Sequence, residues 1–334
     1  MMRAQVWLGG AEFAVAEATV PELGAGEVLV ELEVATVCGS DRHTVSGRRP
    51  GACPSVLGHE GVGVVAESRR AGIEPGQRVV FSVTSVCHEC VMCRRGLSAK
   101  CERVQKVGHE SFDGSWPWSG TYATHIHLPA GVEVVEVPPE LSSERASTAG
   151  CAVATVMAMV ETAGDLRDKS VLVTGLGMLG ITAVAAARAD GARRIIACDP
   201  APGAREAVRG LADEVVDVAS GELVDVSFEL SGSSAGTQAC LDALAVGGVA
   251  VLAGAVAPGP GVMLDPEWVV RGWRTVTGVH NYEPRHLGQA VSFLDRHGDS
   301  LPWDHIFGRR VSLAELPEVF TEPVGARVLV DCRS

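Results

Sequence analysis

The stretch S-V-L-V-T-G-L-G-M-L-G-I-T-A-V-A-A-A-R-A, Ser170 to Ala189, constrains the fold of this chain more than any other. A short β-branched run, a glycine turn and an Ala-rich run of helical length lead to a second apolar run, R-I-I-A-C-D, ending at Asp199. Strand, turn, helix, strand is a βαβ unit, and it commits the region to a parallel, doubly wound α/β sheet with helices on its faces. The turn supplies Gly175, Gly177, Met178, Leu179 and Gly180. Glycines there permit a tight turn, close approach of backbone N–H groups to a pyrophosphate, and close helix–strand packing. Asp199 stands 19 residues after Gly180. A carboxylate at that place accepts hydrogen bonds from ribose hydroxyls and repels a 2′-phosphate, which favours NAD over NADP. Taken alone, the glycine spacing is as readily an ordinary strand-to-helix turn. Arg193, Arg194 and Arg205 lie close enough in sequence to soften the preference.

The rest of the chain has two textures. Residues 1 to about 145 read as β-rich, with strands expected at Val28–Val34 (V-L-V-E-L-E-V, alternating with period two), Gly61–Ala66 and Arg78–Val83. An Ala/Met-rich helical run, Ala152–Ala163, precedes the βαβ unit. Further strands are expected at Val224–Leu230, Val249–Ala253 and Thr275–Val279, a helix from Pro284 to Arg296, and a last strand in R-V-L-V-D. At 334 residues two domains are expected. The textures place one at 1–152 with 281–334, and a dinucleotide-binding one at 153–280. A net charge of −13 makes nucleic acid and anionic membrane surfaces poor partners. The start, M-M-R-A-Q-V-W-L-G-G, carries no apolar core of a signal peptide. The apolar tracts near Cys151–Val160 and Ile181–Ala187 fall short of the roughly 20 residues of a bilayer span. Ten cysteines in such a chain point to a reducing compartment, the cytoplasm.

Four of those cysteines, Cys87, Cys90, Cys93 and Cys101, stand as C-x2-C-x2-C-x7-C on one short stretch. Four thiolates close a tetrahedral shell around Zn²⁺ and leave no position for water or substrate, so this is a structural site. A second set is scattered: Cys38 in C-G-S-D-R-H, His59 in G-H-E, and Cys151 in C-A-V-A-T. Two thiolates and an imidazole leave the fourth position open, as a catalytic zinc requires. Glu60 follows His59 directly and is a candidate carboxylate near the metal or a transient fourth ligand. Asp41 is placed to hold the other ring nitrogen of His59 and fix its tautomer. Singly each residue is weak evidence, since a Cys in an apolar run is more often core packing.

Together these motifs make the chain resemble zinc-dependent members of the medium-chain alcohol dehydrogenase/reductase superfamily. They are C-G-S-D-R-H (38–43), G-H-E-G-V-G (58–63), the four-Cys stretch, C-x3-T (151–155) and G-L-G-M-L-G (175–180). The resemblance implies a β-rich GroES-like catalytic domain beside a Rossmann domain, and two zinc ions per chain. It implies Cys38, His59 and Cys151 as ligands of the catalytic zinc, and a homodimer or homotetramer. It also implies that Ser40 receives the substrate proton and that His43 relays it, by way of the cofactor ribose, to solvent. Other branches of the family replace the third ligand by a carboxylate, so Glu60 and Glu161 compete with Cys151. The segment K-V-G-H-E-S-F-D-G-S-W-P-W-S-G-T-Y-A-T-H-I-H-L-P, with A-G-C-A-V-A-T-V-M-A, is also similar to a subgroup associated with phosphonate metabolism.

The chemistry implied is hydride transfer between NAD(H) and a small alcohol or carbonyl compound, with zinc as Lewis acid. A zinc-stabilised binding protein on the same fold is the rival; it predicts a missing ligand or relay residue, and none is missing. A zinc hydrolase would leave the glycine turn unexplained. Trp116, Trp118, His109 and Glu110 are candidate walls of a substrate pocket, or plain core. His280 and Tyr282 are candidates for a cleft or a subunit contact.

Overall fold

The computed structural model describes every residue except Ser220 and Val324. Contacts divide the chain into two units. The first is Met1–Cys151, Glu283–Asp295 and Phe307–Ser334; the second is Ala152–Tyr282 and Arg296–Ile306. This differs from the boundaries read in the sequence chiefly at 296–306, which group with the second unit. There the helix Arg285–His297 gives way to two short helical turns, Gly298–Ser300 and Trp303–Ile306, before the strand Phe307–Ser312. The Trp303 indole donates to the Gly298 carbonyl at 2.7 Å and ties those turns together.

In the first unit the strand Val28–Thr36 is central. It pairs antiparallel with Gly61–Ser68, Arg327–Asp331 and His125–Leu128. Partners on both edges explain why it is more buried than its alternating sequence suggests: only Glu31 is fully exposed along it, and Glu33 partly. Arg78–Ser85 continues the sheet and pairs with Val132–Glu136. A smaller sheet joins Met2–Gly9 to Glu12–Ala18 and Ser55–Val56. The main core of this unit holds Leu32, Phe81, Trp116, Tyr122 and Ile126, all close to fully buried. Burying each apolar side chain of this size is worth about 1.5–3 kcal/mol against the unfolded chain.

The second unit is a six-stranded parallel sheet. Its strands lie in the order Glu214–Val216, Arg194–Cys198, Ser170–Thr174, Val224–Glu229, Leu244–Leu252, Thr275–Gly278. The chain starts in the middle, steps outward twice, then returns to the other side of Ser170–Thr174. That reversal, between Ser170–Thr174 and Val224–Glu229, is the switch point at which doubly wound sheets bind ligands. The central strand is buried along its whole length.

The Ala/Met-rich helix begins earlier than its composition suggests. A helical run from Ser143 to Ala163 combines Ser143–Ala146, a π-helical turn Ala149–Val153, and Ala154–Ala163. By length and composition alone its 21 residues could cross a membrane, but 72% of the apolar window is buried inside the protein, as in a core helix.

Candidate active site

Cys38, the first residue of the scattered set, is the N-cap of the short helix Gly39–Val45. The fold therefore fixes its backbone. Its N–H donates to Asp41 Oδ2 at 3.0 Å, closing the first helical turn. Asp41 is 2% exposed and uses the same oxygen to accept from the Tyr122 hydroxyl at 2.8 Å. Its other oxygen, Oδ1, lies 3.2 Å from His59 Nδ1, in charge contact but without the alignment of a hydrogen bond. His59 Nε2 faces Ser40 Oγ at 3.2 Å. Cys151, brought in by the π-helical turn, completes the group. One ligand atom from each of Cys38, His59 and Cys151 lies within 4.8 Å of the others.

The electrostatics of this group suit a cation. Cys38 and Cys151 share a hydrogen bond that lowers Cys38 well below the usual thiol range and raises Cys151 well above it, so the pair readily sheds one proton. His59 is buried, which opposes a charge, yet Asp41 and the Cys38 thiolate carry its pKa up to about 10. A buried cluster that pulls a proton so firmly is one that a divalent metal would neutralise. The donor set of two sulfurs and one imidazole fits Zn²⁺ with one position free.

Glu60, counted in the sequence as a candidate at the metal, lies outside this trio. Its Oε2 is ion-paired with Arg327 and accepts from Thr36 Oγ1 at 2.5 Å. A fully buried carboxylate is held where a guanidinium and a hydroxyl compensate it; Oε1 has no hydrogen bond. Glu161 is exposed on the helix Ala154–Ala163 and is not part of the cluster either. The gathered side chains are thus those of Cys38, His59 and Cys151, with neither glutamate among them.

His43 follows Ser40 by one turn of the same helix and is half-buried. His109 proves to be a neighbour of the site: its ring centroid lies 5.3 Å from that of His59. Its Nδ1 is 2.7 Å from the Val107 carbonyl, and burial, with the His59 charge adding to it, pushes its pKa down to about 3. It is a neutral imidazole with Nδ1 donating. Glu110 accepts from the Lys106 N–H at 2.8 Å and closes a local turn. The two tryptophans are core residues instead of pocket walls. Trp116 is 2% exposed, with its indole donating to the His127 carbonyl, and Trp118 packs in the core beside the smaller sheet. Tyr282 is buried and His280 exposed.

Cys87, Cys90, Cys93 and Cys101 also converge, with sulfur–sulfur separations of 3.4 to 4.0 Å among neighbours. The helix Val91–Arg94 lies inside this loop, capped by Cys90 and carrying Cys93, so the spacing x2 brings these two sulfurs together across one turn. Backbone N–H groups of Glu89 and Cys90 lower the Cys87 thiol to about 6, while burial pushes Cys93 up to about 12. Four sulfurs at these separations fit one tetrahedral Zn²⁺ and leave it no open position.

In the second unit, Gly177 caps the helix Met178–Ala189, and a side chain there would meet nothing within 4 Å. Gly175 has φ of +85°, and a Cβ on Gly180 would stand 1.9 Å from the Gly175 carbonyl oxygen. The open helix N-terminus and the forced glycine contact fit a dinucleotide phosphate. Met178 and Leu179 form the first turn of that helix. Asp199 Oδ2 accepts from the Leu176 N–H and Oδ1 from the Ala201 N–H, both at 2.8 Å, so the acid is pinned to the glycine turn. Arg193 and Arg194 lie at the opposite end of the strand that leads to Asp199, and Arg194 is paired with Glu214 and Glu222. Only Arg205, donating to the Asp199 and Pro200 carbonyls, is near the acid.

Comparison with known proteins agrees with both halves. Residues 24–139 match the family model of the alcohol dehydrogenase GroES-like domain, and 179–296 that of zinc-binding dehydrogenase. The chain is similar to the L-threonine 3-dehydrogenase of Pyrococcus horikoshii, 32% identical over 270 residues, 73% of this chain and 72% of that one. It is similar to the S-(hydroxymethyl)glutathione dehydrogenase of Escherichia coli, 33% identical over 211 residues, 58% of this chain and 57% of the other. An alcohol dehydrogenase from Thermus sp. ATN1 superposes with a TM-score of 0.87 at 27% identity, covering 98% of this chain and 99% of that one. With its β-rich GroES-like unit and its parallel Rossmann-like sheet, the chain belongs to the zinc-dependent medium-chain alcohol dehydrogenase superfamily.

Proposed function

We propose that this chain is an alcohol dehydrogenase or carbonyl reductase that passes hydride between NAD(H) and a polar alcohol or the matching aldehyde or ketone. Polyols and phosphonate-type compounds are the substrate classes to test first. The observation that carries the reading is the Cys38–His59–Cys151 cluster, three soft ligands around one free position. Zn²⁺ held there would supply a Lewis acid for the substrate oxygen, and NAD(H) on the glycine turn the hydride carrier. Ser40, 3.2 Å from His59 Nε2, takes the proton of the substrate hydroxyl. His43, one turn further along the helix, passes it toward solvent. Asp41 holds His59 in place from its far side and so keeps the Nε2 edge turned to the cluster. Asp199 selects NAD over NADP, and its ties to the Leu176 and Ala201 N–H groups hold it ready at the ribose position.

The reading includes two zinc ions per chain, the second in the four-cysteine loop, a homodimer or homotetramer, and a cytoplasmic location that keeps the ten free thiols reduced. The test is a panel of polar alcohols, polyols and phosphonate aldehydes with NAD(H) and with NADP(H), run beside a zinc determination on the same protein. Zinc-dependent turnover with NAD(H) and two zinc ions per chain is the expected result. A fully zinc-loaded chain that binds neither cofactor ends the reading.

A further inference from the structure

Glu229, the last residue of the strand Val224–Glu229, is fully buried, and no motif accounts for it. Its Oε1 accepts from the Ser231 N–H, the Ser231 hydroxyl and the Gly232 N–H, each at 2.8 Å. Its Oε2 accepts from the Gly254 N–H at 3.2 Å. The Glu229 carbonyl also accepts from the Ala253 and Gly254 N–H groups, both at 3.0 Å, so side chain and backbone of one residue together tie the loop that follows its own strand to the loop that follows the next, Leu244–Leu252.

These loops are also in hard contact. A Cβ on Gly254 would stand 2.4 Å from the Gly232 nitrogen, and one on Gly232 would stand 2.7 Å from the Gly254 carbonyl oxygen. A Cβ on Gly175, in the phosphate turn, would stand 2.4 Å from the Ser231 nitrogen. Three loops at the carboxyl edge of the sheet therefore meet backbone to backbone, and a single carboxylate braces two of them.

The position of that brace follows from the strand order. Asp199 marks the adenosine ribose over Arg194–Cys198, and the Gly175–Gly180 turn marks the pyrophosphate over Ser170–Thr174. A dinucleotide laid across the switch point continues in the same direction, so its second half falls over Val224–Glu229 and Leu244–Leu252. Those are the strands whose loops Glu229 joins.

We propose that Glu229 is a positioning residue for the nicotinamide half of the cofactor site: it holds the 231–232 and 254 loops in the binding geometry before the cofactor arrives. The proposal rests on the dinucleotide reading above. Preformed loops spare the cofactor the cost of ordering them, so the brace acts on affinity for the half that those loops meet.

The discriminating variant is Glu229→Gln. Its amide oxygen still serves the three donors at Ser231 and Gly232, but its NH₂ group then faces the Gly254 N–H, donor to donor, and pushes on that loop, which the backbone bonds of Ala253 and Gly254 to the Glu229 carbonyl still tether. Binding of NAD⁺ and of AMP, which carries only the adenosine half, is measured by calorimetry on the full chain, with thermal unfolding alongside. The expected result is an affinity for NAD⁺ weaker by about tenfold, the usual worth of a charge-assisted hydrogen bond, with AMP unchanged. Ser231→Ala, which removes one donor and keeps the carboxylate, should move NAD⁺ binding the same way by less, and serves if the glutamine variant does not fold. Equal losses for NAD⁺ and AMP, or no loss for either, overturn the proposal. If the unaltered chain binds neither NAD⁺ nor AMP, the underlying dinucleotide reading falls, and the proposal with it.

Discussion

The two cysteine-based clusters of the first unit are built in opposite ways. Cys87, Cys90, Cys93 and Cys101 come from one loop, organised by a single short helix, and would serve a metal with four like donors. Cys38, His59 and Cys151 come from a helix cap, a strand approach and a π-helical turn, and reach one another only once the sheet has formed. The loop cluster can therefore contribute to folding, because its ligands are close before anything else is in place. The scattered cluster is a product of folding. The same contrast divides their chemistry, since a shell of four leaves nothing to react and a shell of three leaves one place.

Substitutions test this contrast most sharply at one ligand of each cluster. Structural zinc binding is worth on the order of 10 kcal/mol, comparable to the whole stability of a domain. Cys93→Ser is therefore expected to cost the first unit its cooperative unfolding transition, seen by calorimetry. Cys38→Ser should leave that transition within a few degrees of its original place and reduce dehydrogenase activity below detection, with one zinc ion lost from two. If both variants unfold alike, the distinction between a folding site and a reacting site fails.

Within the scattered cluster a smaller effect separates the metal from the proton path. Ser40→Ala should lower kcat by about 10²–10⁴-fold, the usual worth of a general acid–base group, while zinc content stays at two. His43→Gln should lose less, and added imidazole should restore part of the rate, because small bases reach an outer relay. A rate and pH profile untouched by His43→Gln would remove the relay and leave the metal cluster standing. The smallest effect belongs outside both clusters. Asp199→Ser should shift the NAD/NADP preference by about 10- to 100-fold through lost charge-assisted hydrogen bonds, measured as the ratio of kcat/KM values, without releasing zinc.

How far the sequence could be read follows the same division. The four-cysteine loop and the glycine turn are local patterns whose geometry is set by spacing, and most strands around them were expected within about two residues, though Leu244–Leu252 begins well before the expected Val249. Cys151 was harder, because its place in the cluster depends on a π-helical turn that no composition announces. Glu60 had two readings from its place beside His59, a carboxylate near the metal or a transient ligand. Arg327, more than 250 residues away, draws it aside, and nothing local to Glu60 signals that partner. Tyr122 behind Asp41, and His109 against His59, likewise arrive through the sheet. The tryptophans had two readings, pocket wall or core, and no local signal separates them: an indole N–H finds a carbonyl in the core as easily as in a pocket.

The π-helical turn has a consequence for how this chain could change. Ala149–Val153 holds a wider loop of backbone inside an otherwise regular run. Loss of a single codon there would let the run close into ordinary α-helix, rotating Cys151 by about 100° relative to the residues that follow it. The helix would become more regular while the sulfur turned away. A deletion scan across 149–153 should therefore find variants that melt no lower than the original and carry one zinc fewer. For this chain, an in-frame deletion beside Cys151 is a quieter way to open the cluster than any exchange of its members, since it damages aim and leaves all three donor side chains in place.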